Sequence, residues 1–342
     1  MAVATESARL DFELSTGCDH RCAHCYNIWN AEEGDPQHGY RRRGPPSTSA
    51  LKETMSRAVE QSGAVHLTLT GGEPLLRKDA LDIIDHARQL VPSVSLISNG
   101  SHIDEATARA LRGVRSVQLT LLAGDRDLHD RLKGAVCFDD TTRAAIALRD
   151  AGVPSQCCFV ALSDNRGELR SVLELCVALD MGSLSYNRMS PAGGAIHHSQ
   201  RLMPDPRQLE EDLEVADRLG RAWNIAVGTA MPIPPCLVRI ERYSWIRFGF
   251  CSVGSSSPSL VVDPWGDVRS CNLSGHVLGN VLEDDWSEIV ANPYLAEFRM
   301  ALPKVCSGCA YEKSCQGGCK ESGFASFGAL SELEPLVRMV LE

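Results

Sequence analysis

Val65-His66-Leu67-Thr68-Leu69-Thr70-Gly71-Gly72-Glu73-Pro74-Leu75 is the stretch on which the fold turns. In an extended strand Val65, Leu67 and Leu69 fall on one face and His66, Thr68 and Thr70 on the other. Val117-Gln118-Leu119-Thr120-Leu121 repeats the pattern, with Gln118 and Thr120 opposite the apolar residues. A parallel strand covered on both faces reads apolar throughout. A consistently polar face points instead to a lined cavity, which in β/α barrels opens at the C-terminal strand ends. Gly71-Gly72-Glu73 stands at such an end.

Working outward, strand-like runs at Leu10–Ser15, Val65–Thr70, Val94–Ser98, Val117–Leu122, Ser155–Leu162 and Leu184–Met189 alternate with helical runs. The helices are predicted at Thr48–Gln61, Arg77–Leu90, Glu105–Leu111, Asp139–Asp150 and Glu168–Leu179. Strands with intervening helices mean parallel units, closed either as a doubly wound open sheet or as a barrel. The polar faces favour the barrel. The expected α/β fold is a partial (β/α)6 TIM-like barrel over residues 1–200, with a small C-terminal cysteine-rich domain over 241–342. Between them, residues 201–240 are expected to form a bridge around the charged amphipathic helix Asp205–Trp223.

A chain of 342 residues can bury a full core, and its formal net charge of −10 argues against nonspecific nucleic-acid binding. No apolar run reaches the length of a membrane span, and the N-terminus lacks a signal peptide's basic and apolar regions. Nothing routes its fourteen cysteines to an oxidising compartment, so a cytoplasmic protein with free or metal-bound thiols is expected. Nine of them cluster at metal-ligand spacing. Cys137, Cys157, Cys158, Cys176 and Cys236 are scattered, where the default is a small buried hydrophobe.

The first cluster is Cys18-Asp19-His20-Arg21-Cys22-Ala23-His24-Cys25-Tyr26, directly after the first strand. Three thiolates on a loop can hold three irons of a cubane, leaving the fourth iron open for chemistry. Zinc is the competing occupant, but it wants four ligands, and His20 and His24 sit at awkward spacing to supply the fourth. The C-x3-C-x2-C run with its following aromatic residue resembles the signature of radical S-adenosylmethionine (SAM) enzymes. In that family SAM chelates the fourth iron of a 4Fe–4S cluster, and one electron cleaves it to methionine and a 5′-deoxyadenosyl radical. Thr70-Gly71-Gly72-Glu73-Pro74 resembles the family's GGEP motif, which binds the SAM amino group. Ser98-Asn99-Gly100 resembles its strand-three turn, and Thr120 with His129-Asp130-Arg131-Leu132-Lys133-Gly134 its carboxylate- and ribose-binding region. The resemblance thus implies metal ligation by Cys18, Cys22 and Cys25. It implies cofactor contacts from Tyr26, Gly71, Gly72, Glu73, Asn99, Thr120 and Lys133. Where the family shows Ser followed by Leu-Asp-Gly, this chain has Thr120-Leu121-Leu122-Ala123. After strand six, Arg188-Met189-Ser190-Pro191-Ala192-Gly193 resembles a loop of radical SAM proteins with auxiliary clusters, and a loop at that rim is expected to contact substrate. His197 and His198 behind it read as surface residues.

The second cluster begins at Cys251. Leu260–Cys271 reads as a hairpin with a Pro-x-Gly turn, a helix follows at Trp286–Ala301, and Cys306, Cys309, Cys315 and Cys319 come next at C-x2-C-x5-C-x3-C. A zinc knuckle on the last four cysteines is the plainer reading. The whole pattern resembles the SPASM domain, which carries auxiliary 4Fe–4S clusters. That resemblance groups Cys251, Cys271 and Cys319 in a cluster near the barrel, and Cys306, Cys309 and Cys315 in an outer one. Each group is one cysteine short. Ser255, Ser256 and Ser257 stand where one missing ligand is expected, and Leu333-Glu334-Pro335-Leu336-Val337 where the other is. An open iron, Cys236 or a carboxylate could complete either, so one or two auxiliary clusters are expected.

The expected reaction is SAM cleavage followed by hydrogen abstraction from an unactivated carbon, fed by an external reductant such as flavodoxin or ferredoxin. The resemblance makes a ribosomally synthesised peptide the first substrate class, for crosslinking, oxidation or epimerisation. A small sugar-like natural product, dehydrogenated or epimerised, is the second. Cys18 comes too early for a leader-binding domain ahead of it, so a separate leader-peptide-binding protein would fill that role. Epimerisation needs a hydrogen-atom donor, and of the adjacent Cys157 and Cys158 one must point inward. Neither nucleic acid nor membrane is expected as a partner. A non-catalytic iron–sulfur electron carrier would have no use for Gly71-Gly72-Glu73.

Overall fold

The computed structural model describes residues 9–33, 35, 43–253, 255 and 258–341. Strands β1 (Arg9–Ser15), β2 (His66–Gly71), β3 (Ser93–Ser98), β4 (Ser116–Thr120), β5 (Ser155–Ala161) and β6 (Ser183–Arg188) carry the barrel. Among them run helices α1 (Thr48–Ser62), α2 (Ala80–Leu90), α3 (Glu105–Ala110), α4 (Arg126–Lys133), α5 (Phe138–Ala151) and α6 (Leu169–Ala178). The six strands are parallel and lie side by side in chain order. A doubly wound sheet reverses its order at a switch point. This one never does, so crossovers of one hand keep every helix on one face and leave the other as an interior.

Alternation decides which residues meet which face. Leu10, Phe12, Leu14, Leu67, Leu69, Leu96, Val117, Leu119, Phe159, Leu184 and Tyr186 are buried toward the helices. Each fully buried leucine or phenylalanine contributes about 1.5–3 kcal/mol. Their neighbours Asp11, Glu13, Thr68, Thr70, Gln118, Thr120, Cys158 and Asn187 line the interior.

Both edges of the six-strand unit are extended. After α7 (Ser199–Leu202), α8 (Pro206–Trp223) packs against α6 and leads to β7 (Ala226–Gly228) beside β6, with β8 (Ile246–Arg247) beyond it. Residues 201–240 therefore continue the barrel's strand–helix–strand succession. At the opposite edge β9 (Leu260–Val262) pairs in parallel with β1, and β10 (Asp267–Arg269) and β11 (Val277–Asn280) follow antiparallel. The C-terminal hairpin thus joins one eleven-stranded sheet.

The helix expected over Trp286–Ala301 is two, α9 (Trp286–Val290) and α10 (Pro293–Met300). Proline disfavours a helical residue before it, and Asn292 instead caps the second helix by accepting from Tyr294 N at 2.9 Å. Short helices α11 (Glu312–Cys315), α12 (Lys320–Phe327) and α13 (Pro335–Leu341) complete the cysteine-rich end. No helix among the described residues is long and apolar enough to cross a membrane.

Candidate active site and cysteine centres

The loop after β1 is clamped from two strand ends. Gly72 N donates to Ser15 O at 2.7 Å and Glu73 N to Gly17 O at 2.9 Å. A Cβ on Gly72 would lie 2.2 Å from Gly17 O. The resemblance gave Gly71 and Gly72 cofactor contacts; the structure shows them letting the cysteine loop itself approach. From the other side α4 ends at Gly134, in the left-handed conformation, where a Cβ would lie 2.4 Å from Arg21 O. Arg21 N donates to Lys133 O, and Cys22 Sγ lies 3.4 Å from the same oxygen. The loop after β6, expected at substrate, also buttresses: Ala195 N donates to Cys25 O at 3.0 Å.

So held, Cys18, Cys22 and Cys25 face one another. Burial, and then the neighbouring thiols, pushes Cys25 up to about 11 and Cys18 upward. Thiolates in such a place call for a bound cation. Lys133, 4% exposed on the last turn of α4, has no carboxylate within ion-pair distance among the described residues. Beside it burial, and then its own charge, holds His24 and His129 down at about 3, so both imidazoles are neutral. A buried ammonium without a counter-charge is costly unless an anion arrives. Three convergent thiols beside an unpaired cation suit a cubane cluster with a carboxylate-bearing ligand on it.

The other predicted cofactor contacts divide. Thr120 ends β4 on the interior face, in register with Cys158 on β5. Tyr26 is 39% exposed to the barrel mouth; burial, and then Cys158, Cys25, Asp11 and Glu13, pushes its hydroxyl upward. Glu73 is fully buried and its carboxylate already accepts from Leu75 N, Ser98 Oγ and Asn99 N, at 3.0, 2.9 and 2.6 Å. It braces the β2 end to the β3 end. Asn99 donates from Nδ2 to Asp19 Oδ1 at 2.8 Å and accepts from Ser101 N, so its side chain also serves the cysteine loop.

Cys157 is a correction. It lies on the helix face of β5 with 0% exposure and bonds to Cys176 of α6, a packed core thiol. Cys158 faces the interior, with Asn187 Nδ2 at 3.5 Å from its sulfur.

In the C-terminal region Cys271 lies near Cys251 and Cys319, Cys306 near Cys309, and Cys315 near Cys236. Burial, then Glu321, Cys251 and Cys319, raises Cys271. Cys306 is raised by burial, then by Cys309, Glu312 and Glu334, and Cys236 by burial, then by Cys306, Glu334 and Cys309. Cys236 is thus not a core thiol but an exposed one facing the outer group. Ser256 and Ser257 lie outside the described residues.

Sequence reasoning missed the ion pairs that dock this region. Arg269 on β10 donates to Glu13 Oε1 at 2.5 Å, and both are buried. Arg188 at the end of β6 pairs with Glu334, likewise buried, and donates to Pro232 O at 2.8 Å. A signal existed for Glu13: with Asp11 it puts two carboxylates on one face of a strand whose other face is Leu10, Phe12 and Leu14.

Two family models match the chain: the radical SAM superfamily over residues 12–176 and the SPASM iron–sulfur cluster-binding domain over 251–316. The chain belongs to the radical SAM enzymes that carry a SPASM domain, and 4Fe–4S clusters with SAM are its cofactors. It is 28% identical to a PqqA peptide cyclase of Streptomyces rochei, over 94% of this chain and 87% of that one. To the mycofactocin maturase MftC of Mycobacterium ulcerans it is 26% identical, over 92% and 83%. Among solved structures, Streptococcus suis SuiB bound to its precursor peptide SuiA superposes with a TM-score of 0.75 at 17% identity, over 97% of this chain and 75% of that one. anSMEcpe with bound AdoMet gives 0.72 at 18% identity, over 97% and 94%. At such identities these likenesses speak to the fold, a partial barrel with a cysteine-rich C-terminal domain.

Proposed function

We propose that this enzyme matures a ribosomally synthesised peptide, with Cys18, Cys22 and Cys25 holding the cluster to which SAM binds. The observation that supports this reading is Lys133, buried, its backbone against Cys22 and, among the described residues, no carboxylate within ion-pair distance of its ammonium, which suits it to the carboxylate of SAM. When bound, the cluster supplies the electron that cleaves SAM to a 5′-deoxyadenosyl radical able to take hydrogen from the substrate. The chain's own residues hold and aim. Gly71, Gly72 and Glu73 fix the β2 end, Asn99 steadies Asp19 within the loop, and Thr120 and Tyr26 present hydroxyls at the barrel mouth. Cys251, Cys271, Cys306, Cys309, Cys315 and Cys319 hold auxiliary clusters. A peptide is supported by relatives that run almost the whole chain and are themselves a peptide cyclase and a maturase. A reductant such as flavodoxin or ferredoxin supplies electrons, a separate protein presents the leader, and the cytoplasm keeps the thiols reduced. Of the two adjacent thiols, Cys158, which faces the interior, is the one we assign to return a hydrogen atom to a substrate radical.

The test is anaerobic reconstitution with reductant-dependent 5′-deoxyadenosine as the readout. Cys22→Ala should abolish it. Lys133→Met should keep its iron while the KM for SAM rises about tenfold or more, the cost of one charge-assisted contact. An unchanged KM would remove Lys133 from the site. Precursor peptides encoded beside the enzyme should raise deoxyadenosine formation; stimulation by sugar-like metabolites alone would overturn the peptide reading.

A further inference from the structure

Both C-terminal cysteine groups are one thiol short of four, and residues 320–342 hold no cysteine. The chain instead returns to the outer group at Glu334, just before α13. The Glu334 side chain is 0% exposed. Its Oε2 accepts from Cys319 N at 2.9 Å and from the Arg188 guanidinium. Its Oε1 has no hydrogen-bond partner. Gly318, between Cys315 and Cys319, has φ +88°, and a Cβ there would lie 2.7 Å from the Glu334 Cδ and 2.9 Å from Oε1. The carboxylate therefore lies flat against the turn that carries Cys315, at a place only glycine leaves open. A Cβ on Gly317 would in turn lie 3.8 Å from Cys306 Sγ, so the same turn borders that thiol. The charge of Glu334 reaches Cys306 and Cys315 of the outer group and Cys319 of the inner one.

Buried carboxylate oxygens are satisfied or costly. Arg188 and Cys319 N account for one oxygen and leave the other without a partner against the Cys315–Cys319 turn, beside a group of thiols one short of four. We infer that Glu334 Oε1 is the fourth protein ligand of the cluster on Cys306, Cys309 and Cys315. Carboxylate oxygen is an accepted iron ligand, and Arg188 holds this one in place from the rim of the barrel. Cys236 is the competitor. It sits exposed on a turn closed by Leu237 N donating to Pro234 O, whereas Glu334 is buried and already oriented. The inference rests on the reading that these cysteines hold auxiliary clusters.

The experiment uses full-length protein with Cys18, Cys22 and Cys25 all changed to alanine, so that only auxiliary iron is counted. Iron and sulfide per chain, Mössbauer spectra and the EPR of oxidised samples are measured on this parent and its variants, with thermal melts to confirm folding. Glu334→Gln should lose about one iron per chain and show a three-iron cluster. Glu334→Cys should keep the full count and lose the oxygen-ligated iron site seen in the parent's Mössbauer spectrum. Cys236→Ala should match the parent. The assignment is overturned if Glu334→Cys leaves the spectrum unchanged, or if Cys236→Ala produces the three-iron cluster. Iron in the parent that ignores Glu334 overturns the ligand alone; a parent without iron overturns the auxiliary-cluster reading as well.

Discussion

The two cysteine-bearing regions are fastened to the barrel by different means. The N-terminal loop is fastened by backbone: Gly72 against Gly17, Gly134 against Arg21, and amides donating to carbonyls across each joint. The C-terminal region is fastened by buried charge, Arg269 to Glu13 at one edge of the barrel and Arg188 to Glu334 at the other. Backbone joints tolerate changes of charge nearby but leave no room for a Cβ. Buried ion pairs tolerate packing changes but not the loss of one partner. The first arrangement suits a site whose three ligands must keep one geometry, since small misplacements there are expensive for catalysis. The second suits a region that must stay docked.

The sharpest break of this comparison is a pair of alanine substitutions at helix ends. Gly134 and Gly152 both close a helix in the left-handed region, at φ +62° and +72°. An alanine at either costs about 1–2 kcal/mol of backbone strain. At Gly152 a Cβ would meet nothing within 4 Å, whereas at Gly134 it would press on the Arg21 carbonyl between Cys18 and Cys22. Gly134→Ala should therefore lose the SAM-binding cluster and deoxyadenosine formation almost completely. Gly152→Ala should keep both and lose only stability in a urea titration. Equal iron content in the two variants would show that the loop is not held by that contact.

Next in size is the removal of one charge from a C-terminal joint. At pH 8, Arg269→Met strips the counter-charge from buried Glu13, whose carboxyl then takes up a proton rather than stay ionised, so the cost stays at or below the roughly 3–5 kcal/mol of a broken buried pair. Replacing both, as Glu13→Leu with Arg269→Met, should recover most of that. Hydrogen exchange should localise the loss in the single variant to β9 and β10 rather than to β1. Equal loss in the single and double variants would mean that the contact is packing and not charge.

The reach of sequence reasoning follows the same division. Six strands, their helices and both cysteine groups were legible because alternation, helical period and C-x2-C spacing are local signals. α4 was not read as a helix, since Arg126–Lys133 is almost all charge and its stability comes from the Asp125 cap and the Gly134 end. The glycines of the β2 turn were found but given a ligand as partner, because nothing local says that the closest approach is to residues 15–17. Glu13–Arg269 and Arg188–Glu334 join residues 256 and 146 positions apart. No window along the chain contains such pairs. The choice between Cys157 and Cys158 turned on strand register, which alternation narrows to two answers and only pairing resolves.

The smallest expected effect is one of pH, and it separates the regions without damaging either. Burial pushes Glu13 up to about 7, against the pull of the Arg269 guanidinium. Below about pH 4.5 the carboxyl is protonated in folded and unfolded chains alike, and titration adds nothing to their difference. Between about 4.5 and 7 the folded chain keeps a proton that the unfolded chain has released, so this group's contribution to stability falls as pH rises, by at most about 3 kcal/mol. Above 7 the loss is complete and the slope ends. Glu13→Gln keeps the shape, removes the titration and should flatten the stability profile of apoprotein across that window. The backbone joints at Gly72 and Gly134 contain no titrating group, so the protection of the Gly72, Glu73 and Arg21 amides should stay level over the same range while that of β9 and β10 falls. A profile unchanged in Glu13→Gln would place the titration elsewhere. It would also leave the C-terminal joint no more dependent on charge than the N-terminal one.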